Sequence, residues 1–231
     1  MEQLLQNGLT ALGLPTAGIP QLLRYADTLL ETNRVMNLTA ITDPAEVATL
    51  HFLDSAALLS LVDFRGKTLA DVGTGAGFPG LPLRILEPTI RLTLLDSLNK
   101  RVDFLQRICD DLGFSDVACV HSRAEEFAAK HRETFDLVSS RAVASLPLLL
   151  ELCLPLVKVG GACLAMKSVD CDQELAAAKG AIALLGGQLS AVKDYQIPGT
   201  EIFHRLIVIE KIGETPKKYP RAFAKIKKNP L

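Results

Sequence analysis

Apolar residues recur at helical spacing through the first 64 positions, at Leu4, Leu5, Leu9 and Leu12 and again at Leu22, Leu23, Ala26, Leu29 and Leu30. Pro15, Pro20 and Pro44 punctuate them, and Asp43-Pro44-Ala45-Glu46 has the cap, first-turn proline and early acid of a helix start. From Lys67 the period changes. KTLADV, RLTLLD, DVACVHS, FDLVSSRA and GACLAMK read as strands, with helices over 79–87, 98–113, 123–131, 145–158 and 171–186. That alternation predicts a parallel, doubly wound sheet with right-handed crossovers. QLSAVKDYQI and HRLIVIEK lie close enough in sequence to add an antiparallel pair at its edge.

At 231 residues, 48% hydrophobic and 5% aromatic, the chain has room for one α/β domain and a helical extension, with an aliphatic core. The expected divisions are a helical extension over 1–64, the sheet domain over 65–211 and a tail over 212–231. No apolar run reaches the roughly 18 residues of a membrane span, and MEQLLQNGLT lacks a basic, secretory start. A cytoplasmic monomer with no membrane association is expected. The five cysteines form no C-x-x-C pair and sit mostly in apolar runs, which reads as buried free thiols. His51, His121, His131 and His204 are scattered without ligand spacing, so no metal is expected. The net charge of −1 hides an asymmetry, because Lys211 to Leu231 holds seven basic residues and one acid. A basic tail rides on an acidic body.

The candidate chemistry sits in LADVGTGAGFPGLPL, Leu69 to Leu83, at the end of the first strand. Glycine admits close approach of a ligand to the backbone, and ligands of open α/β sheets bind beyond the carboxyl ends of the strands. Gly75-Ala76-Gly77-Phe78-Pro79-Gly80 fits G-x-G-x-x-G, with Asp96 about 20 residues on for a ribose. A dinucleotide and S-adenosylmethionine both meet that spacing. Asp71, two residues before Gly73, would repel a pyrophosphate and either meet a cationic sulfonium or orient the loop. PLVKVGGACLAMK resembles the corresponding element of methyltransferases, and the terminal antiparallel pair is the addition that marks their version of the fold. These features favour S-adenosylmethionine.

The resemblance then extends along the chain. NRVMNLTAIT (33–42), HFLDS (51–55), DVGTGAGFPGLPL (71–83), LLDSLNKRVDFL (94–105), SRAEE (122–126), SSRAVASLPLLLE (139–151), LPLVKVGG (154–161) and KKYPR (217–221) together resemble the glucose-inhibited division protein B family. That resemblance implies the class I S-adenosylmethionine-dependent methyltransferase fold, a mostly parallel seven-stranded sheet. It also implies methylation of guanine N7 at position 527 of 16S rRNA, in the small ribosomal subunit or an assembly intermediate. By the same resemblance Gly73, Gly75 and Phe78 meet the cofactor, Asp96 its ribose, and Ala124 and Glu125 its adenine. Arg141 matches the cofactor-site arginine, facing the cofactor carboxylate or an RNA phosphate, and is the one candidate for a catalytic role. His51 and Asp54 match H-x-x-D-S and, with Lys100, Arg101, Lys217, Lys218 and Arg221, are candidates for contact with RNA. The tail KKYPRAFAKIKK has the charge for phosphates and an aromatic for stacking, in a segment short enough to order on its substrate.

The chain has neither the D/N-P-P-Y/F motif of enzymes that methylate exocyclic amines nor a Pro-Cys nucleophile for pyrimidine C5. Guanine N7 needs neither, since it offers a lone pair and carries no proton. The alternatives are another RNA or small-molecule acceptor, an NAD(P)-binding oxidoreductase, and a non-catalytic factor that only senses the cofactor.

Overall fold

The computed structural model describes residues 1–141 and 144–231, so Ala142 of the expected strand FDLVSSRA lies outside the described residues. Helices α1 (Glu2–Ala11) and α2 (Ile19–Met36) open the chain. After them α3 (Pro44–Glu46), a π-helical stretch (Val47–Leu53) and α4 (Asp54–Leu61) run on without a break. Asp43 starts this run as expected, its Oδ1 accepting from the amides of Ala45 and Glu46 at 2.8 and 3.0 Å. The alternating part follows as β1 (Thr68–Val72), α5 (Gly80–Leu86), β2 (Arg91–Asp96), α6 (Asn99–Leu112), β3 (Ala118–His121), α7 (Ala124–Lys130), β4 (Phe135–Arg141) and α8 (Leu146–Cys153). It closes with β5 (Val157–Ser168), α9 (Asp172–Leu184), β6 (Gly187–Gln196), β7 (Phe203–Lys211) and α10 (Phe223–Lys228).

The helix expected over 145–158 stops at Cys153 and gives way to a 3-10 turn over Leu154–Leu156. Pro155 has no amide to donate to the Glu151 carbonyl, so the α-helical ladder cannot continue through it.

Among the described residues seven strands form one sheet, ordered β3-β2-β1-β4-β5-β7-β6. β1 to β5 are parallel, and β7 lies antiparallel between β5 and β6. The strand order reverses between β1 and β4, which is where this architecture places its ligand. Alternation along the strands feeds two cores. Leu69, Leu92 and Leu94 pack with Leu5, Leu22 and Leu29 of the N-terminal helices on one face. Ala70, Val72, Leu95 and Val138 pack with Leu150, Leu185 and Ile226 on the other. The N-terminal helices therefore share the core of the sheet they cover.

Candidate active site

The glycine loop is held in place before any ligand is considered. The Gly73 and Thr74 amides donate to the Leu95 carbonyl at 2.8 and 3.1 Å, which ties the loop to β2. Gly77 has φ +106°, and a side chain there would stand 2.5 Å from the Tyr25 hydroxyl and 2.6 Å from Leu81. Through that space the Tyr25 hydroxyl reaches the Ala76 carbonyl, so α2 buttresses the loop from behind. Asp71 is fully buried. Its Oδ2 accepts from Thr74 Oγ1 at 2.7 Å and the Gly80 amide at 2.9 Å, and its Oδ1 from Ser139 Oγ at 3.0 Å. Burial raises its pKa, while those three hydrogen bonds pull the other way. Of the two roles expected for Asp71, the geometry supports loop orientation; it does not line the cleft described next.

A cleft of about 130 Å³ opens at the tips of β1, β2 and β3, lined by Gly73, Asp96, Ala124 and Glu125 among others. Asp96 sits at its floor, with Oδ2 accepting from the Gly75 amide at 3.0 Å and Oδ1 from the Leu98 amide at 2.9 Å. A carboxylate offers about four acceptor positions, which leaves capacity for a vicinal diol. Glu125 accepts from Arg123 Nε at 2.7 Å. Val72, Leu95, Leu152 and Phe223 supply its apolar walls, beside Ser97, Ser122 and Arg123. Polar groups for a ribose beside apolar walls for a base fit an adenosyl group. Phe78 does not line this cleft: it is buried, stacked on His51 at 4.3 Å between ring centroids and on Tyr25 at 5.4 Å. That packing places Phe78 behind the glycine loop, between Tyr25 and His51.

A second cavity, of about 560 Å³, lies on the other side of β1, at the ends of β4 and β5 and the start of β7. That volume is within the range of small-molecule sites, about 300–1,000 Å³. Its wall is a buried polar network centred on Asp54, which is 0% exposed. Asp54 Oδ2 accepts from Arg141 at 3.0 Å, and Oδ1 from the Tyr195 hydroxyl and from His204 Nδ1, both at 2.8 Å. Burial alone would raise the Asp54 pKa, but the His204 hydrogen bond and the Arg141 charge outweigh it and the carboxylate is held below its ordinary value. Arg141 also donates to the Leu50 carbonyl at 3.1 Å and faces His51 Nδ1 at 3.0 Å, with its guanidinium 5.1 Å from the Phe78 ring centre.

His51 and Asp54 thus line the cavity as members of an internal hydrogen-bonded network. The π-helical stretch that contains His51 turns it toward Arg141, and such distortions recur at functional sites. Arg141 can only donate, so His51 Nδ1 accepts and its Nε2 carries the proton, shared with Thr39 Oγ1 at 2.8 Å. Burial, and then the Arg141 charge, lower the His51 pKa to about 4. Unfolded, the imidazole would take a proton below pH 6.5, so the folded state loses stability as pH falls from about 6.5 toward 4. Denaturant unfolding should show about 2 kcal/mol lost between pH 6.5 and 5 from this group. H51Q should flatten that slope, and an unchanged slope would assign the loss elsewhere.

The remaining candidates divide. Lys100 is exposed at the start of α6, and Arg101 reaches Asp96 at 3.4 Å. Lys217 and Lys218 are exposed. Arg221 turns inward: its amide and Nε donate to Glu151 Oε1 at 2.9 and 2.8 Å and its Nη2 to Oε2 at 2.6 Å, so its charge compensates a carboxylate that is 0% exposed. Tyr219, the expected stacking aromatic, is buried, as is Ile226. Arg132 donates to the carbonyls of Thr215, Pro216 and Tyr219. The tail is therefore built onto α8 without RNA.

Sequence reasoning missed Tyr195, His204, Phe223 and Lys167. Lys167 lines the second cavity and bonds Glu174 at 2.7 Å. One signal was available for the tail: Glu151 alone in LPLLLELCLPL required a buried cationic partner.

The model of the GidB family, described as rRNA small subunit methyltransferase G, matches residues 18–203. Ribosomal RNA small subunit methyltransferase G of Alkaliphilus metalliredigens is 46% identical over 235 residues, 100% of this chain and 98% of that protein. The protein of the same name from Desulfitobacterium hafniense is 50% identical over 210 residues, 90% of this chain and 87% of its own. Among solved structures, TrmN from Thermus thermophilus matches with a TM-score of 0.53 and 23% identity, over 68% of this chain and 48% of that one. A SAM dependent methyltransferase from Aquifex aeolicus matches with a TM-score of 0.56 and 16% identity, over 75% and 96%. At these identities the two structures speak for the fold, which is that of the class I S-adenosylmethionine-dependent methyltransferases.

Proposed function

The chain belongs to the GidB family, rRNA small subunit methyltransferase G, and from that premise we propose that it methylates N7 of a single guanine in 16S rRNA, position 527 in standard numbering. What carries this reading is the pair of cavities flanking the reversal of strand order between β1 and β4, one suited to an adenosyl group and the other to an acceptor base. Gly73, Asp96, Ala124 and Glu125 hold the cofactor, S-adenosylmethionine, with Gly75 acting through the amide that fixes Asp96. Bound there, the cofactor would supply an electrophilic methyl group, its sulfur keeping the electron pair of the bond that breaks.

The acceptor nitrogen carries no proton, so the chain needs no general base. Its residues have to orient two ligands at about 3 Å and exclude water. Arg141 lines the second cavity, its position fixed by Asp54, Leu50 and His51. The side chains of Lys100, Lys217 and Lys218 are open to RNA phosphates. The acidic body opposes broad affinity for RNA, which favours a folded ribosomal particle over naked rRNA as substrate.

Methyl-labelled S-adenosylmethionine, the purified protein and small subunits from cells lacking the modification test this directly. Label on one guanine N7 is the expected result, with protein-free rRNA a poorer substrate. Label elsewhere replaces the acceptor, and equal labelling of protein-free rRNA overturns the preference for a particle.

A further inference from the structure

We infer that Phe223, on the C-terminal helix, forms one wall of the adenine site, so that the basic tail completes the cleft that the glycine loop begins. The inference rests on the S-adenosylmethionine reading above. Phe223 lines the same cleft as Gly73, Asp96 and Ala124 although some 100 residues or more separate it from each. Those three, at the strand tips, supply backbone and a carboxylate. A purine also needs apolar surface, which the cleft draws from Leu95 and Leu152 of the sheet domain and from Phe223.

The wall is fixed in position, which a binding surface requires. The Arg123 guanidinium lies 4.4 Å from the centre of the Phe223 ring, on the loop that presents Ala124. One turn on, Ile226 is fully buried. Two residues back, Arg221 is clamped to Glu151 through both carboxylate oxygens. α10 has only six residues and no independent stability at that length, so tertiary contacts hold it where it is. It also lies beyond residues 18–203, the part the family model matches.

Calorimetric titration of the full-length protein with S-adenosylmethionine and with 5′-methylthioadenosine, which keeps the adenosyl part, provides the test. F223A should bind both ligands about tenfold more weakly, the order of loss found when an aromatic partner of a base is cut to alanine. F223Y, which keeps the ring, should bind within about twofold of the native chain. Melting curves run alongside identify a variant that fails to fold, and F223Q then gives the same comparison with the side chain's bulk kept and its apolar face removed. F223A or F223Q binding as tightly as the native chain overturns the wall. A native chain that binds neither ligand overturns the cofactor reading instead.

Discussion

D54A is expected to lose about 3–5 kcal/mol of folding stability, the cost of leaving a buried charged partner uncompensated. At about 2–4 °C per kcal/mol for a chain of this size, the melting temperature falls by roughly 6–20 °C. Three donors converge on this carboxylate from β4, β6 and β7: Arg141, Tyr195 and His204. Removing it strands all three in a site where Tyr195 is 8% exposed and the Arg141 side chain 17%. Y195F takes away one neutral hydrogen bond, so its loss should be nearer 1 kcal/mol. The contrast between the two variants is the informative quantity. A D54A protein that melts with the native chain would mean that Asp54 does not organise the cavity wall.

The same network marks where sequence reasoning stops. The strands were legible because a sheet feeding two cores leaves a period of two, as in Leu69 against Ala70 and Leu94 against Leu95. Asp96 and the glycine loop were legible because both lie at strand ends whose order the alternation dictates. His204 was not, since its partner Asp54 is 150 residues away and only the antiparallel insertion of β7 beside β5 brings them together. Nor does a helical pattern distinguish an α-turn from the π-helical stretch that aims His51, because both repeat the apolar face at similar intervals. The packing of the tail was not legible for a different reason. Seven basic residues near a terminus look like a solvated arm, but local composition does not record that Arg221 has a buried carboxylate to satisfy or that Ile226 and Tyr219 have a core to enter.

Asp96 carries the largest expected effect on function. D96A should weaken S-adenosylmethionine binding by about 10²-fold, with a proportionate fall in kcat/KM. Hydrogen bonds to a charged acceptor contribute about 1.5–3 kcal/mol each, and a ribose presents two hydroxyls to one carboxylate, so the loss of both is about 3–6 kcal/mol before the vacated space is resolvated. Part of that returns through water, which brings the expected loss to about 3 kcal/mol, or two factors of ten. The substitution also removes the acceptor for the Gly75 and Leu98 amides. The loop between β1 and α5 then loses its tie to the tip of β2, while the Gly73 and Thr74 amides keep theirs to Leu95. D96N separates the two effects. Its carboxamide oxygen can still receive an amide but its nitrogen can only donate, so the loop keeps a tie while the ribose loses a charged acceptor. One of the two amide ties is lost, at about 1 kcal/mol, so D96N should melt within a few degrees of the native chain and bind at least tenfold more weakly. Native affinity in D96N would reduce Asp96 to a loop anchor and send the ribose elsewhere in the cleft, with Glu125 the next carboxylate on its wall.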